Sequence, residues 1–241
     1  MPKLAIIACS DNPVITTYVK LKQRYGQDIQ VEVAAYNAEL PKVTGLIKQL
    51  NQDTSVHGII VQLPLSDPSQ TDEIVNLVDP TKDVDALGEK AKFDPATPMA
   101  IMWLLSGYNI DLAGKHILLI GNGKLVGAPL ARMLRTAELD VTVIDRSATD
   151  LTEHTKEADI IITATGSPAI LRSDMIKAGA VVVDAGVASE AGKTVGDLAP
   201  DVYERNDLTL TPIKGGVGPL TVTALFENVI RSARQTTETA A

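Results

Sequence analysis

The sequence predicts an α/β fold built from two parallel-sheet layers with a cleft between them. Three observations predict it. Strand and helix patterns alternate along nearly the whole chain. The strands include continuous apolar runs such as residues 58–63 (GIIVQL). A strand, a glycine turn and an apolar helix follow one another at residues 116–134. Unbroken apolar strands are those buried on both faces, as in parallel sheets covered by helices.

Taken in order, residues 3–9 read as a strand, 12–25 as a helix, 31–36 as a strand and 41–51 as a helix. The strand at 58–63 is followed by a short helix over 71–78, a polar turn over 79–85, and a helix from about 98 to 105. This βαβαβ set is itself a small parallel sheet. A second set places strands at 116–121, 140–145, 159–164 and 180–185 with helices between them. A last strand at 208–213 precedes the loop KGGVGP and a helix over 220–233, and the Thr/Ala-rich tail 235–241 reads as frayed.

Composition limits the function classes. The core is aliphatic, because aromatic residues make up only 3% of the chain. A net charge of −8 argues against nucleic acid and against an anionic membrane as partner. No apolar run reaches membrane-spanning length, and Met1-Pro-Lys leads straight into a strand, so no leader segment is expected. Cys9 is the single cysteine and reads as a buried small residue. His57, His116 and His154 are scattered without metal-ligand spacing. A soluble cytoplasmic protein that holds no metal is the expectation.

In the turn at 121–127, Gly121 and Gly123 let the backbone bend and approach a pyrophosphate, and Gly127 lets the helix pack closely. The strict fingerprint has its third glycine where Val126 stands. The helix start offers free N–H groups and a positive dipole end. A plain glycine turn remains the alternative to a dinucleotide site. Asp145 favours the latter, since it closes the next strand 24 residues beyond Gly121, near where a carboxylate takes ribose hydroxyls. The second layer is therefore read as a Rossmann-like dinucleotide-binding domain.

Tyr18 and Lys22 are four apart on the first helix and share a face, while Lys20 points elsewhere. Gln62 interrupts an apolar strand near its C-terminal end, where open α/β sheets bind ligands; it is either a core hydrogen-bonder or a ligand contact. Asp83 and Asp85 in KDVD suit a metal or a turn cap. The glycines around Gly216 and Val217 let a backbone approach a flat ligand, and Pro219 fits the first turn of a helix.

Residues 18–22 (YVKLK), 61–65 (VQLPL), 82–85 (KDVD), 97–98 (TP) and 211–221 (TPIKGGVGPLT) resemble, in order, the signatures of the methylenetetrahydrofolate dehydrogenase/cyclohydrolase (FolD) family. The turn at 121–129 resembles that family's G-R-S-x-x-V-G-x-P segment, and the resemblance covers nearly the whole chain. It implies oxidation of 5,10-methylenetetrahydrofolate by NAD or NADP, then hydrolysis of the methenyl product to 10-formyltetrahydrofolate. Lys22 matches the catalytic lysine, Gln62 the glutamine that tunes it, and Asp85 the carboxylate on the pterin edge. Tyr18 would stack on the folate, with Gly216, Val217 and Pro219 walling its pocket. Gly121, Asn122, Gly123, Lys124, Val126, Gly127, Asp145 and Arg146 would hold the cofactor. The resemblance also implies a substrate domain over 1–110 joined by the C-terminal helix 219–234, a dinucleotide domain over 111–218, and a homodimer paired along the strand that includes 142–144.

Departures from the family pattern bear on substrate affinity and cofactor choice. The sequence starts at the family's first strand, without the helix that normally precedes it, and the segment between Asp85 and Thr97 is short. Ala86, Ala96, Ala100 and Lys214 replace glycine, cysteine, glycine and proline. Asn122 and Gly123 stand in place of Arg-Ser, and with Asp145 they predict a preference for NAD; Arg146 and Lys124 are the cations that would oppose it. Two rival readings are a nicotinamide-dependent dehydrogenase of another substrate and a non-catalytic folate- or nucleotide-binding relative. Retention of Lys22, Gln62 and Asp85 together speaks against the first, and turnover would exclude the second.

Overall fold

The computed structural model describes residues 1–9, 13–148, 150–190 and 193–239. They form two compact units: the first holds Met1–Ala96 and the residues from Val222 on, the second Thr97–Thr221. The sequence suggested divisions at 110/111 and 218/219. The first falls earlier because the helix before it packs into the core of the second unit through Ala100, Ile101 and Leu105.

The first unit runs through strand β1 (Lys3–Ala8), helix α1 (Pro13–Asp28), strand β2 (Glu32–Asn37), helix α2 (Leu40–Gln52) and strand β3 (Gly58–Gln62). Residue 12, expected to open α1, lies outside the described residues. The strands are all parallel in the order β2-β1-β3. β1 is apolar after Lys3 (KLAIIA) and takes the centre, while β2 carries Glu32 and Asn37 and takes the edge. Helix α2 buries Val43, Ile47 and Leu50, spaced by four and three, against Ala5, Ile7, Ile59 and Val61. Leu4, Ile6 and Ile60, on the other face of the strands by alternation, are equally buried.

After β3, helix α3 spans only Thr71–Val75, shorter than the helix expected over 71–78. Asn51 takes the Leu77 carbonyl from its own segment (2.8 Å), and Asp79 precedes a proline, which disfavours further helix. The chain then returns beside β3. Ile59 pairs with Asp83, and the Ile59 N–H donates to the Lys82 carbonyl (2.7 Å).

The second unit takes up helix α4 (Ala96–Gly107), strand β4 (Ile117–Ile120), helix α5 (Gly127–Thr136), strand β5 (Val141–Ile144), helix α6 (Leu151–Glu157), strand β6 (Ile160–Thr163) and strand β7 (Val181–Asp184). A hairpin that the sequence did not announce, β8 (Ala188–Glu190) with β9 (Lys193–Val195), comes next, and then strand β10 (Thr209–Leu210). The five-stranded sheet is parallel in the order β10-β7-β6-β4-β5. The chain leaves β4 to one side for β5 and returns on the other for β6. The strand order thus reverses at the C-terminal end of β4, where α/β sheets bind ligands. Alternate residues of β4 feed two cores: Ile117 and Leu119 pack with Leu130 and Leu134 of α5, Leu118 and Ile120 with Leu171 and Val202.

β10 is shorter than the strand expected over 208–213 because Pro212 has no N–H to continue the ladder. The last helix, α7 (Val217–Thr239), is longer than the one expected over 220–233. Residues 235–239, expected as a frayed tail, are helical, and the Thr236 hydroxyl donates to the Ser232 carbonyl (3.0 Å). Residues 240–241 lie outside the described residues.

Candidate active site

Gln62 ends β3, in register with Ala8 at the end of β1. Its side chain is hydrogen-bonded within the protein: Lys22 Nζ, from α1, donates to Gln62 Oε1 at 2.8 Å. Gln62 Nε2 donates to the Leu63 carbonyl at 3.3 Å, which identifies Oε1 as the atom facing the lysine. The amide therefore accepts one N–H of Lys22 and orients the rest of the group.

Lys22 and Asp85 are both half-buried. Burial pulls the Lys22 amine below the usual lysine range, and the negative charge of Asp85 partly opposes this. Burial likewise raises the Asp85 carboxyl, opposed by Lys22. Each group is pushed toward its neutral form, which is the condition a proton-transferring lysine needs. Tyr18 stands one turn before Lys22 on α1 and is 38% exposed, leaving its ring accessible.

Asp83, weighed from sequence as a metal ligand or a turn cap, is a cap. It is 4% exposed, and its carboxyl accepts the main-chain N–H groups of Gly88 (2.8 Å) and Leu87 (3.4 Å). Burial chiefly pushes its pKa up to about 6, with the charge of Asp85 adding to the rise and the main-chain donors opposing it. Among the described residues, no group of three or more His, Cys, Asp or Glu side chains is placed to hold a metal. Ala86, where the family has glycine, adopts φ 55°, the left-handed conformation that a Cβ disfavours.

In the second unit the glycine turn has the shape a dinucleotide needs. Gly121 has φ 105°, and a Cβ there would meet the Ala164 carbonyl at 2.6 Å. A Cβ on Gly127 would collide with the Gly121 carbonyl. The close helix contact is thus made by Gly127, which explains why Val126 is tolerated one residue earlier. Nothing lies within 4 Å of the Cβ position at Gly123. Val126 gives the start of α5 no side-chain cap, which suits a helix terminus that receives phosphate oxygens. Asn122 and Lys124 are exposed at the same turn.

Asp145 follows β5 directly. Its Oδ1 accepts from the Ser147 N–H (3.0 Å) and hydroxyl (2.9 Å), and these bonds hold its carboxyl below the usual range. Arg146 Nη1 donates to Ser167 Oγ at 3.3 Å. Gly216 precedes α7 and packs against Thr211, Val217 opens the helix, and Pro219 sits in its first turn. Tyr18, Lys22, Gln62 and Asp85 thus belong to the first unit, and the remaining expected site residues to the second.

Sequence reading missed two buried polar sets. Asp184 accepts from the N–H groups of Gly186, Asp197 and Leu198, and Asp197 from those of Thr165 and Ser167, so two carboxylates tie the loops after β6 and β7. On α7, buried Asn228 and Ser232 bond main-chain carbonyls of the first unit. Their four-residue spacing on an otherwise apolar face was a readable signal.

Residues 1–85 match the family model described as tetrahydrofolate dehydrogenase/cyclohydrolase, catalytic domain, and residues 95–237 the one described as its NAD(P)-binding domain. The bifunctional protein FolD of Campylobacter jejuni (serotype O:23/36, strain 81-176) is 41% identical over 96% of this chain and 87% of the relative. The crystal structure of the Campylobacter jejuni FolD enzyme superposes with a TM-score of 0.91 at 39% identity, covering 97% of this chain and 88% of that one. The Trypanosoma brucei FolD structure, described as complexed with NADP cofactor and inhibitor, gives 0.91 at 28% identity over 98% and 88%.

Proposed function

This chain belongs to the tetrahydrofolate dehydrogenase/cyclohydrolase family, and we propose on that premise that Lys22, Gln62 and Asp85 form its catalytic centre. The protein is a bifunctional enzyme of one-carbon folate metabolism. It oxidises 5,10-methylenetetrahydrofolate to the methenyl form and hydrolyses that to 10-formyltetrahydrofolate. The observation that carries the residue assignment is the 2.8 Å bond from Lys22 Nζ to Gln62 Oε1, with the half-buried Asp85 acting on the same amine by its charge.

The nicotinamide cofactor, when bound, takes a hydride from the methylene carbon. The turn at Gly121, Gly123 and Gly127, with the uncapped start of α5, suits its pyrophosphate; Asn122, Lys124, Val126, Asp145 and Arg146 complete that site. In the first unit, Asp85 offers two oxygens to ring N–H groups and so orients the pterin, while Tyr18 stacks on it. In the hydrolytic step Lys22 Nζ takes a proton from the water that attacks the cationic methenyl carbon. It then returns that proton to the ring nitrogen as the carbon–nitrogen bond breaks, and the carbinol O–H proton is released to solvent as the formyl carbonyl forms. Gln62 Oε1 holds one amine hydrogen throughout, which keeps the lone pair of Lys22 turned to the substrate.

NAD is the preferred cofactor in this reading. The ribose-side carboxylate Asp145 is held ionised by Ser147, where it accepts hydroxyl hydrogens and repels a 2′-phosphate. Arg146 is engaged by Ser167. A homodimer is proposed through β5, the apolar edge strand of the second sheet, and light scattering at micromolar concentration should give twice the chain mass. The functional test is turnover of 5,10-methylenetetrahydrofolate with NAD⁺ or NADP⁺. Reduced nicotinamide, a 10-formyl product and a higher kcat/KM with NAD⁺ are expected. A higher kcat/KM with NADP⁺ would refute the Asp145 reading, and the absence of any 10-formyl product would refute the Lys22 assignment.

A further inference from the structure

We propose that Asp83 and Asn228 are positioning residues for Asp85: they grip the main chain on either side of it and thereby fix where its carboxyl meets the folate. The inference rests on the reading of Asp85 as the group that orients the pterin.

The segment 81–88 has no sheet or helix to hold it, apart from its single bridge to β3. Turn hydrogen bonds hold it in part, such as those from the Asp83 N–H to the Asp79 carbonyl (2.9 Å) and from the Ala86 N–H to the Asp83 carbonyl (3.2 Å), and side chains complete the hold. Ser232 donates to the Thr81 carbonyl (2.9 Å). Lys82 Nζ reaches back to three carbonyls at the end of α2, those of Leu50, Asn51 and Asp53. Immediately before Asp85, Asn228 Nδ2 donates to the Val84 carbonyl (3.0 Å) and also to that of Asp94 (2.9 Å). Two and three residues after it, the Asp83 carboxyl collects the N–H groups of Leu87 and Gly88. Gly88 is close enough that a Cβ would meet Asp83 Oδ2 at 3.0 Å.

Asp85 is the exception in this segment. Its carboxyl receives no hydrogen bond from any described residue, and the charge of Lys22 is what acts on it. The main chain around it is pinned while its own oxygens stay available. Both clamps carry a desolvation cost. Asp83 is a carboxylate taken out of water, and Asn228, fully buried, leaves its Oδ1 without a partner among the described residues. A site group held to within a fraction of an ångström by such supports is the usual form of a preorganised binding site.

The test is a double-mutant cycle on the whole enzyme, reading the KM for 5,10-methylenetetrahydrofolate, the KM for the nicotinamide cofactor and kcat. Asp83→Asn puts an amide in place of the carboxyl that accepts these N–H groups. It should raise the folate KM about tenfold, on the scale of lost support around a site group, with the cofactor KM changed less than about twofold. Added to Asp85→Asn, the same substitution should change the folate KM less than about twofold, because there is no longer a carboxylate to aim. A tenfold penalty that persists in the Asp85→Asn background overturns the inference, since Asp83 would then act on the fold at large. Asn228→Ser shortens the other clamp and takes the place of Asp83→Asn in the cycle if that variant does not fold. A raised folate KM in Asp85→Asn beside an unchanged one in Asp83→Asn also overturns the inference, and leaves the role of Asp85 standing. An unchanged folate KM in Asp85→Asn overturns that role and the inference together.

Discussion

The centre in the first unit and the glycine turn in the second solve opposite problems. Around Lys22 and Asp85 the protein takes ionisable side chains out of water and orients them with directed bonds, such as Lys22 to Gln62 at 2.8 Å. Around Gly121, Gly123 and Gly127 it removes side chains and presents main chain, with open space at Gly123 and a close helix contact at Gly127. The first arrangement changes what a group does, by moving its pKa. The second changes only what fits. Damage to the first should therefore appear in catalysis or folate binding with cofactor binding intact, and damage to the second in cofactor binding with the hydrolytic step intact.

Three variants would break or sharpen that contrast. The largest effect is expected from Gly127→Ala. The added methyl drives into the Gly121 carbonyl, and overpacking of this kind costs about 1–3 kcal/mol. Cofactor affinity measured by calorimetry should fall about 10- to 100-fold, while hydrolysis of added methenyltetrahydrofolate stays within about twofold. Equal loss of both would erase the distinction between the units. Gln62→Met should act the other way. Removing an acceptor from an amine costs about 1.5 kcal/mol, roughly tenfold in hydrolytic kcat, with cofactor affinity unchanged. The smallest effect is expected from Ala86→Gly. It relieves a left-handed alanine at φ 55° and should add about 1 kcal/mol to unfolding stability. A loss of stability in denaturant titration would show that the turn does not strain that residue.

The same contrast separates what was legible in the sequence from what was not. Strands β1, β3 and β4 could be read because they are buried on both faces, which demands an unbroken apolar run. The glycine turn could be read because main-chain geometry restricts residue type directly. Lys22 and Gln62 were each ambiguous alone, since a lysine on a helix and a glutamine in a strand have ordinary explanations; only folding brings residues 40 apart into hydrogen-bond contact. The hairpin β8–β9 went unseen because two strands of three residues, ASE and KTV, carry little hydrophobic pattern. Asp83 illustrates a further limit. Its identity was plain, but whether a carboxylate in a turn faces a metal, solvent or its own backbone is decided by packing that no local spacing records.

The most direct test of the account is hydrolysis of methenyltetrahydrofolate by wild type and Lys22→Met across pH, with the uncatalysed rate subtracted. Burial lowers the Lys22 pKa, so the neutral amine that accepts the proton of water gains population as pH rises through a midpoint below 10.5. In wild type kcat should therefore climb along a limb centred below that value. In Lys22→Met the limb should vanish and the rate should fall about 10²- to 10⁴-fold, the range for a positioned acid–base group, with folate still bound. A Lys22→Met enzyme that keeps the same limb and loses less than about tenfold in rate would contradict the assignment of Lys22 as the proton carrier.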